Sequence, residues 1–311
     1  MAGIMDTVNQ RTQMVGQNRL ELLLFRLAGK QRYGINVFKV REVLQCPPLT
    51  QLPHRHPVVR GVAHIRGNTI SVIDMSMAIG GPPLPNLEGA FIIIAEYNRA
   101  VQGFLVSSVE RIVNTNWSDM HPPPKGSGRD TYLTAVTEID KQLVEIIDVE
   151  KILSEISPQS TQVSQAVLEK AVSKAAADRA VLIADDSVVA RNQIKKTVEQ
   201  LGYRTVMAKD GAEALSILKD TVAKGLNIKN EFVMMISDIE MPEMDGYTLT
   251  AEVRGDPNLK DLYILLHTSL SGVFNRAMVA KVGADDFIPK FNPDELAQAV
   301  QRRVEAASQS G

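Results

Sequence analysis

The stretch VLIADDS, residues 181–187, decides the fold of the second half of this chain. Four apolar residues are followed at once by Asp185 and Asp186, a pattern typical of a short buried strand that ends at a polar edge. The stretch ISDIEMPEMDG, residues 236–246, repeats the pattern, because Asp238 directly follows a second apolar run. A helix-like segment follows each run, and this alternation predicts strands of a parallel sheet.

The same rhythm of strand and helix continues through the second half of the chain. Strands are predicted at 181–184, 206–208, 232–237, 263–266 and 286–289. Helices are predicted at 187–201, 212–218, 247–254, 273–282 and 293–304. Five strands alternating with five helices predict a doubly wound α/β fold of the flavodoxin-like type, with strand order 2-1-3-4-5.

Polar side chains follow the strands at the edge where such sheets bind ligands. Asp185 and Asp186 follow the first strand and Asp238 the third, while Thr268 and Lys290 follow the fourth and fifth. Three carboxylates gathered there repel one another by several kcal/mol unless protons or a cation neutralise them. A site with oxygen ligands alone favours a hard cation, and an open carboxylate site suits Mg²⁺.

A cation, a lysine, a hydroxyl and a strand-end carboxylate are the parts that phosphoryl transfer to a carboxylate requires. Asp238 would be the nucleophile, Asp186 would bind the metal directly, and Asp185 would bind it through water or in a supporting role. Thr268 and Lys290 would hold the phosphoryl oxygens. Taken alone, Asp185 and Asp186 are better explained as solvated loop residues or helix caps, and the metal site is favoured only by the polar residues at all four strand ends together.

Residues 181–304 resemble the response-regulator receiver domain, which has the CheY-like fold. The resemblance is carried by VLIADDS, ISDIEMPEMDG, Thr268-Ser269 and Lys290. It implies phosphorylation of Asp238 and a conformational switch formed by Thr268 and Phe287. It also implies a Mg²⁺ site whose ligands are Asp185, Asp186, Asp238 and the backbone carbonyl of Glu240.

Two positions depart from the receiver pattern. The family usually places proline after its lysine, often through a cis bond, whereas here Pro289 precedes Lys290 and Phe291 follows it. A cis bond without proline costs about 2.5–4 kcal/mol, so the loop is expected to run differently. Glu240, two residues past Asp238, places a carboxylate near the path of hydrolytic water, and we expect it to alter the lifetime of the phosphorylated form.

The first half of the chain is rich in short, β-branched segments. Strands are predicted at 22–27, 70–73, 91–95, 103–106, 111–113, 133–137 and 143–147, and a helical piece at 37–44. Many short strands joined by turns predict barrels or a sandwich. Residues 157–180 are rich in Ser, Gln and Ala, a linker composition that could include a helix at 163–177.

Residues 18–155 resemble the CheW-like coupling domain of bacterial chemotaxis. The resemblance is carried by residues 22–44, 49–75 and 143–153. It implies two SH3-like β-barrels and binding to chemoreceptor cytoplasmic tips and to the histidine kinase CheA. The segments that match the family's partner surfaces contain Val40, Glu42, Val43, Gly61, Val62 and Arg66. Arg66 is the first residue to mutate, because a guanidinium can bridge two partner acceptors.

A CheW-like domain at 18–155, a linker at 156–179 and a receiver at 180–306 is the layout of the CheV family of chemotaxis coupling proteins. The resemblance implies phosphorylated CheA as the phosphodonor. The receiver would then modulate coupling, as adaptation, or act as a phosphate sink, and would catalyse only its own phosphorylation and dephosphorylation. The alternatives are a response regulator with another output, a metal-dependent hydrolase, and a passive scaffold with a vestigial receiver.

Composition bears on the partners and the location of the protein. The 311 residues are 44% hydrophobic and 23% charged, with a net charge of −2, so nucleic acid is not an expected partner. The apolar runs are far shorter than the ~20 residues of a membrane span, so no membrane insertion is expected. A single cysteine, Cys46, excludes an internal disulfide. Composition therefore predicts a cytoplasmic protein, and the CheW-like resemblance implies that it lies near receptors at the inner face of the membrane.

Overall fold

The computed structural model describes residues 19–97, 100–123, 132–157, 161–169, 179–268 and 281–309. Within these residues, the chain divides into two compact units on either side of residues 158–160. None of the helices in the described part of the chain has both the length and the apolar character needed to cross a membrane.

The first unit is mainly β. Its ten strands are β1 (Arg19–Arg26), β2 (Arg32–Asn36), β3 (Val40–Gln45), β4 (Val59–Ile65), β5 (Asn68–Asp74), β6 (Phe91–Tyr97), β7 (Ala100–Val106), β8 (Ser108–Asn116), β9 (Leu133–Ile139) and β10 (Gln142–Ile147). Two helices, α1 (Met75–Ala78) and α2 (Val149–Ile156), follow β5 and β10. The strands form two five-stranded sheets, ordered β8-β1-β2-β10-β9 and β3-β6-β7-β5-β4. These sheets confirm the mainly-β domain that the strand-rich pattern and the CheW-like resemblance predict.

The two sheets of the first unit share one hydrophobic core. Phe25 from one sheet and Ile93 and Phe104 from the other are fully buried in the same cluster. Helix α2 adds Ile152 and Leu153 to this cluster, and its N-cap Asp148 accepts a hydrogen bond from Lys151 N at 2.9 Å. Within β1, Leu23 and Phe25 belong to this shared cluster, whereas Leu22 and Leu24 belong to a second cluster within the first sheet, so this strand is buried on both faces.

The helix predicted at 37–44 is wrong. Only Val37–Lys39 forms a short 3₁₀ turn, and Val40–Gln45 is strand β3, which pairs antiparallel with β6. The apolar residues of this segment fit both a helical and an extended spacing. Pairing with β6 decides in favour of the strand, because tertiary context overrides a weak local preference.

The second unit has a fully parallel sheet. Its strands are β11 (Ala180–Ala184), β12 (Arg204–Ala208), β13 (Phe232–Ser237), β14 (Ile264–Thr268) and β15 (Asp286–Pro289). Its described helices are α3 (Gln165–Leu168), α4 (Val188–Gln200), α5 (Gly211–Ala223), α6 (Ile228–Glu231), α7 (Gly246–Gly255) and α8 (Pro293–Gln309). The strand order β12-β11-β13-β14-β15 confirms the predicted order 2-1-3-4-5.

Successive residues of each central strand are buried on opposite faces of this sheet. In β11, Leu182 and Ala184 belong to one core cluster, while Val181 and Ile183 belong to another that includes residues of α4 and α8. A parallel sheet covered by helices on both faces buries its strands completely, which explains their continuous apolar runs. The central strands therefore reach solvent at their ends, whereas the edge strand β12 is partly exposed along its length.

Part of the segment predicted as a linker packs against the second unit. Val163 and Val167 are buried against Ala297 of α8. Helix α3 lies within the segment 163–177 that the sequence marks as possibly helical, and residues 170–178 lie outside the described residues. Most of the helix predicted at 273–282 also lies outside them. The domain boundaries 18–155, 156–179 and 180–306 stay predictions.

Candidate functional site

Three carboxylates meet at the carboxyl edge of the parallel sheet. Strands β11 and β13 are neighbours, and Ala184 pairs in register with Ser237, so Asp185 and Asp238 emerge side by side. One carboxylate oxygen from each of Asp185, Asp186 and Asp238 lies within 4.8 Å of the others. This oxygen-only group is the kind of ligand set that Mg²⁺ prefers.

Lys290 lies between two of these carboxylates. Its Nζ is 2.7 Å from Asp185 Oδ2 and 2.8 Å from Asp238 Oδ2, and its side chain is only 2% exposed. Its backbone N–H donates to Thr268 O at 2.7 Å, which continues the pairing of β14 with β15. All peptide bonds of the described residues are trans, including the one after Lys290. The ammonium thus reaches the cluster although Phe291 stands where the family usually has proline.

Two buried rings lie behind Lys290, and sequence reasoning did not identify either. Phe291 is 5% exposed and meets His267 in an edge-to-face arrangement, with ring centroids 5.9 Å apart. Both ring nitrogens of His267 are buried, with no hydrogen-bond partner among the described residues. Burial, and then the charge of Lys290, hold the pKa of His267 well below its usual value, so this ring is neutral.

The loop after Asp238 packs closely against the backbone of that residue. Asp238 Oδ1 accepts a hydrogen bond from Ile239 N at 2.7 Å. A Cβ at Gly246 would lie 2.1 Å from Asp238 O, so a side chain at that position would displace the backbone. Asp245 caps α7 by accepting from Thr248 N at 2.7 Å. The spacing of ISDIEMPEMDG therefore reflects a tight backbone approach beside Asp238.

The helix-cap explanation of the acidic pair does not account for its geometry. Ser187 is the N-cap of α4, and its side chain accepts from Ala190 N at 3.3 Å. Asp185 Oδ1 accepts from Ser187 N at 2.9 Å, and Arg191 donates to Asp185 O. The hydrogen bond from Ser187 holds the Asp185 carboxylate in place while its other oxygen faces Lys290.

The remaining predicted site residues lie close by in the fold. Thr268 is fully buried at the end of β14, and Phe287 is half-buried on β15, in register with Leu266. Glu240 is half-buried after Asp238. Burial, followed by the charges of Glu240 and Asp245, raises the pKa of Tyr247 to about 12. The roles of Thr268, Phe287 and the Glu240 carbonyl stay predictions.

In the first unit, the structure brings two of the predicted partner-binding residues into contact. Arg66 Nη2 is 2.7 Å from Glu42 Oε2, which links the turn after β4 to β3. These two strands are the opposite edges of one sheet, so the ion pair closes the sheet on itself. Arg66 is 78% exposed, and Val43 on β3 is 36% exposed. Guanidinium, carboxylate and an apolar side chain are therefore presented on the sheet edge.

Strand β4 also has a position where the backbone is closely packed. A Cβ at Gly61 would lie 2.5 Å from Thr50 O, so only glycine fits there without displacing the chain. Val62 is half-buried and exchanges two backbone hydrogen bonds with Thr50, at 2.8 and 2.9 Å. Val40 lies on β3 in register with Ala95. Partner binding by these residues stays a prediction.

Comparison with known proteins agrees with this arrangement. The CheW-like domain family matches residues 21–157, and the response regulator receiver domain family matches residues 181–301. Chemotaxis protein CheV3 of Helicobacter pylori is 30% identical over 299 residues, covering 92% of this chain and 94% of that protein. Chemotaxis protein CheV1 of the same organism is 29% identical over 326 residues, covering 99% and 100%.

Among solved structures, the scaffolding protein TtCheW from Thermoanaerobacter tengcongensis is 26% identical, covering 41% of this chain and 83% of that chain, with a TM-score of 0.38. The two matched families define a chemotaxis coupling protein that carries a receiver domain. Because the resemblance to CheV3 spans nearly the whole of both proteins, this chain belongs to the CheV family of chemotaxis proteins.

Proposed function

We propose that this protein couples chemoreceptor cytoplasmic tips to the histidine kinase CheA, and that phosphorylation of Asp238 modulates the coupling. The observation that carries the proposal is the convergence of Asp185, Asp186 and Asp238 within 4.8 Å, with Lys290 between two of them. The same chain carries the CheW-like domain, so a phosphate signal and a coupling function belong to one molecule. Its working location is beside the receptors.

The acidic cluster fits a divalent cation. Asp185, Asp186, Asp238 and the carbonyl of Glu240 would hold Mg²⁺, which supplies positive charge to the carboxylates and to the phosphoryl oxygens. Lys290 already supplies one positive charge to Asp185 and Asp238. Two neighbouring carboxylates cannot both stay ionised in a buried site without such charges.

Transfer of the phosphoryl group forms one covalent bond and breaks one. A carboxylate oxygen of Asp238 attacks the phosphorus of a phosphohistidine on CheA, forming a P–O bond while the P–N bond breaks. The bonding electron pair leaves with the imidazole nitrogen. Negative charge spreads over the equatorial phosphoryl oxygens, and Lys290 and the Thr268 hydroxyl would stabilise it. Water later cleaves the acyl phosphate.

The switch residues connect this chemistry to the surface of the domain. Thr268 ends β14, and Phe287 lies on the adjacent β15, where it packs only half-buried against the core. A phosphoryl group that recruits the Thr268 hydroxyl changes the space available to the ring of Phe287. The receiver surface then differs between the two states, and its effect on the coupling domain is graded, because a full population shift would need about 5.5 kcal/mol.

Replacing the phosphoacceptor tests the proposal directly. Receptor, CheA and this protein are reconstituted with Mg²⁺, and kinase output and radiolabelled phosphate on this protein are measured for wild type and Asp238→Asn. We expect label on the wild type, no label on Asp238→Asn, and a different kinase output for the two. Asp220→Asn, an exposed aspartate on α5, is the matched control and should behave as wild type.

The outcomes separate the competing functions. Equal kinase output for wild type and Asp238→Asn would support a passive scaffold with a vestigial receiver. A phosphate sink predicts faster loss of label from CheA with wild type than with Asp238→Asn, with no difference in receptor control of the kinase. Turnover of many small phosphoesters per protein would instead indicate a hydrolase.

Arg66 tests the coupling surface separately. We expect Arg66→Ala to weaken assembly with receptor and kinase about tenfold, because an exposed guanidinium beside Glu42 suits a partner with paired acceptors. Arg111→Ala is the matched control, since Arg111 is an exposed arginine of the same domain, ion-paired with Asp140. Sedimentation of the reconstituted complex measures both, and an equal loss for the two variants would contradict a specific role for Arg66.

A further inference from the structure

Residues 161–169, which we call the strap, lie across two helices of the receiver. Val163 is 5% exposed and Val167 is 7% exposed, and both pack against the fully buried Ala297 of α8. Leu201, directly after α4, and Leu168 complete this small apolar cluster. The strap has a linker composition, yet its two valines are as well covered as core residues.

Hydrogen bonds from Gln200, the last residue of α4, hold one end of the strap. Val163 N donates to Gln200 Oε1 at 2.9 Å, and Gln200 Nε2 donates to Thr161 O at 2.8 Å. One amide side chain therefore satisfies a backbone donor and a backbone acceptor, as a neighbouring strand would. This pairing fixes the direction and register of the strap on the helix.

Helix α8 holds the rest of the strap. Ser164 N donates to Asp294 Oδ1 at 2.7 Å, and Gln301 Nε2 donates to Val167 O at 2.9 Å. The bond to Asp294 is charge-assisted, and such bonds are stronger than neutral ones. The strap is thus bound through side chains of both helices as well as through its own apolar residues.

Both helices that hold the strap begin at the phosphorylation site. Helix α4 starts at its N-cap Ser187, directly after Asp186, and α8 starts at Pro293, three residues after Lys290. The side chain of Asn292 accepts from Asp294 N at 3.0 Å and so fixes the first turn of α8. A displacement of Lys290 is therefore passed along four residues to the carboxylate that binds the strap.

We propose that the groove between α4 and α8 is a binding surface for the protein's own linker, and that phosphorylation of Asp238 loosens the strap from it. This inference rests on the proposed function. Lys290 contacts both Asp185 and Asp238, so an added phosphoryl group gives its ammonium a third anionic partner and draws it from at least one of them. Asn292 and Asp294 then move with the backbone of Lys290, and the hydrogen bond from Ser164 N to Asp294 weakens.

Release of the strap lengthens the connection between the two domains. The strap has nine residues, and an extended chain spans about 3.3–3.6 Å per residue, so release adds up to about 30 Å of reach. The unphosphorylated protein accordingly has a short tether between coupling domain and receiver, and the phosphorylated protein a long one. Tether length sets the effective concentration of one domain at the other's binding site.

Amide hydrogen exchange of the full-length protein tests the proposal, because the amides of Val163 and Ser164 donate to receiver side chains. Exchange is measured without ligand and with Mg²⁺ and beryllium fluoride, an aspartyl-phosphate mimic whose binding fluorine NMR reports. We expect protection in the unloaded protein and about tenfold faster exchange after loading, which corresponds to about 1.4 kcal/mol. Gln200→Ala should exchange fast in both states while loading normally, and Asn192→Ala on the same helix should behave as wild type.

Each contrary result has a distinct meaning. Fast exchange in the unloaded wild type would show that the strap is not held in solution. Unchanged protection in a loaded wild type would overturn the coupling while leaving the proposed function intact. Absence of loading in the wild type would refute the proposed function and the coupling together. After addition of Mg²⁺ and beryllium fluoride, loss of protection in the wild type together with retained protection in Asp238→Asn would support both.

Discussion

At the scale of single residues, His267 and Phe291 show how the site keeps its lysine in place without a following proline. Phe291 is part of the same core cluster as Ile288 and Leu296, so its ring fixes the chain directly after Lys290. His267 lies edge-on to that ring and is neutral because burial opposes its protonation. A buried imidazole without hydrogen bonds lowers the free energy of unfolding, so His267 destabilises the fold at the place where it packs behind the lysine.

His267 should make folding sensitive to mild acid. Its folded pKa lies below the unfolded value near 6.5, so the unfolded chain binds the extra proton and stability falls as pH decreases through that value. We expect the free energy of unfolding of wild type to fall about 2 kcal/mol more than that of His267→Leu between pH 7 and pH 5. Urea titrations at each pH measure the difference. Parallel pH profiles of wild type and His267→Leu would contradict the assignment.

At the scale of elements, the β9–β10 hairpin carries strain that its sequence does not relieve. The two residues of its turn, Asp140 and Lys141, have φ angles of 52° and 59°, the left-handed region that favours glycine or asparagine. The carboxylate of Asp140 offsets part of this strain, because it accepts hydrogen bonds from Arg111 at 2.5 Å and from Arg32 at 3.4 Å. Lys141 adopts the same left-handed conformation, which glycine would adopt without strain, so its backbone strain is the part that a substitution can remove.

Lys141→Gly should therefore stabilise the first unit. Relief of the left-handed conformation outweighs the extra chain entropy of glycine, and we expect a gain of about 0.5–1 kcal/mol. Chemical unfolding followed by the fluorescence of Trp117 measures it, because this single tryptophan packs in the first unit. Gln142→Gly, one residue later in β10, should lower stability. A loss with Lys141→Gly would show that the turn is not strained in solution.

At the scale of the whole molecule, the two units have separate hydrophobic cores, and among the residues that the structure describes the acidic cluster belongs to the second unit. A ligand that binds only the folded state stabilises the unit to which it binds. Divalent cations should therefore act on one unfolding transition and leave the other unchanged.

Magnesium provides the corresponding test. At ten times its dissociation constant we expect Mg²⁺ to stabilise the receiver by about 1.4 kcal/mol, and to leave the unfolding of the first unit as it is. Helical circular dichroism follows the receiver, and Trp117 fluorescence follows the first unit. Asp186→Ala should remove the effect. An equal shift of both signals would contradict binding at the acidic cluster.

The local sequence pattern predicted much of the second unit's fold and of its acidic site. The apolar runs that end in Asp185 and Asp238 predicted both the parallel sheet and the meeting of their carboxylates, because parallel strands end at one edge. The same pattern put Lys290 at the end of the fifth strand, and its Nζ lies beside Asp185 and Asp238. The resemblance to CheW-like domains marked Glu42 and Arg66 as partner-surface residues, but it did not predict the ion pair between them.

Other features depended on the tertiary structure. Residues 37–44 fit a helix locally, and only pairing with β6 makes most of them a strand. Nothing in the sequence around His267 shows that its ring would be buried against Phe291, and nothing in a Ser- and Gln-rich segment shows that Val163 would be covered by α8. The physical reason is that periodicity records which side of an element is apolar, whereas the partner that covers that side is chosen by contacts between residues far apart in the chain.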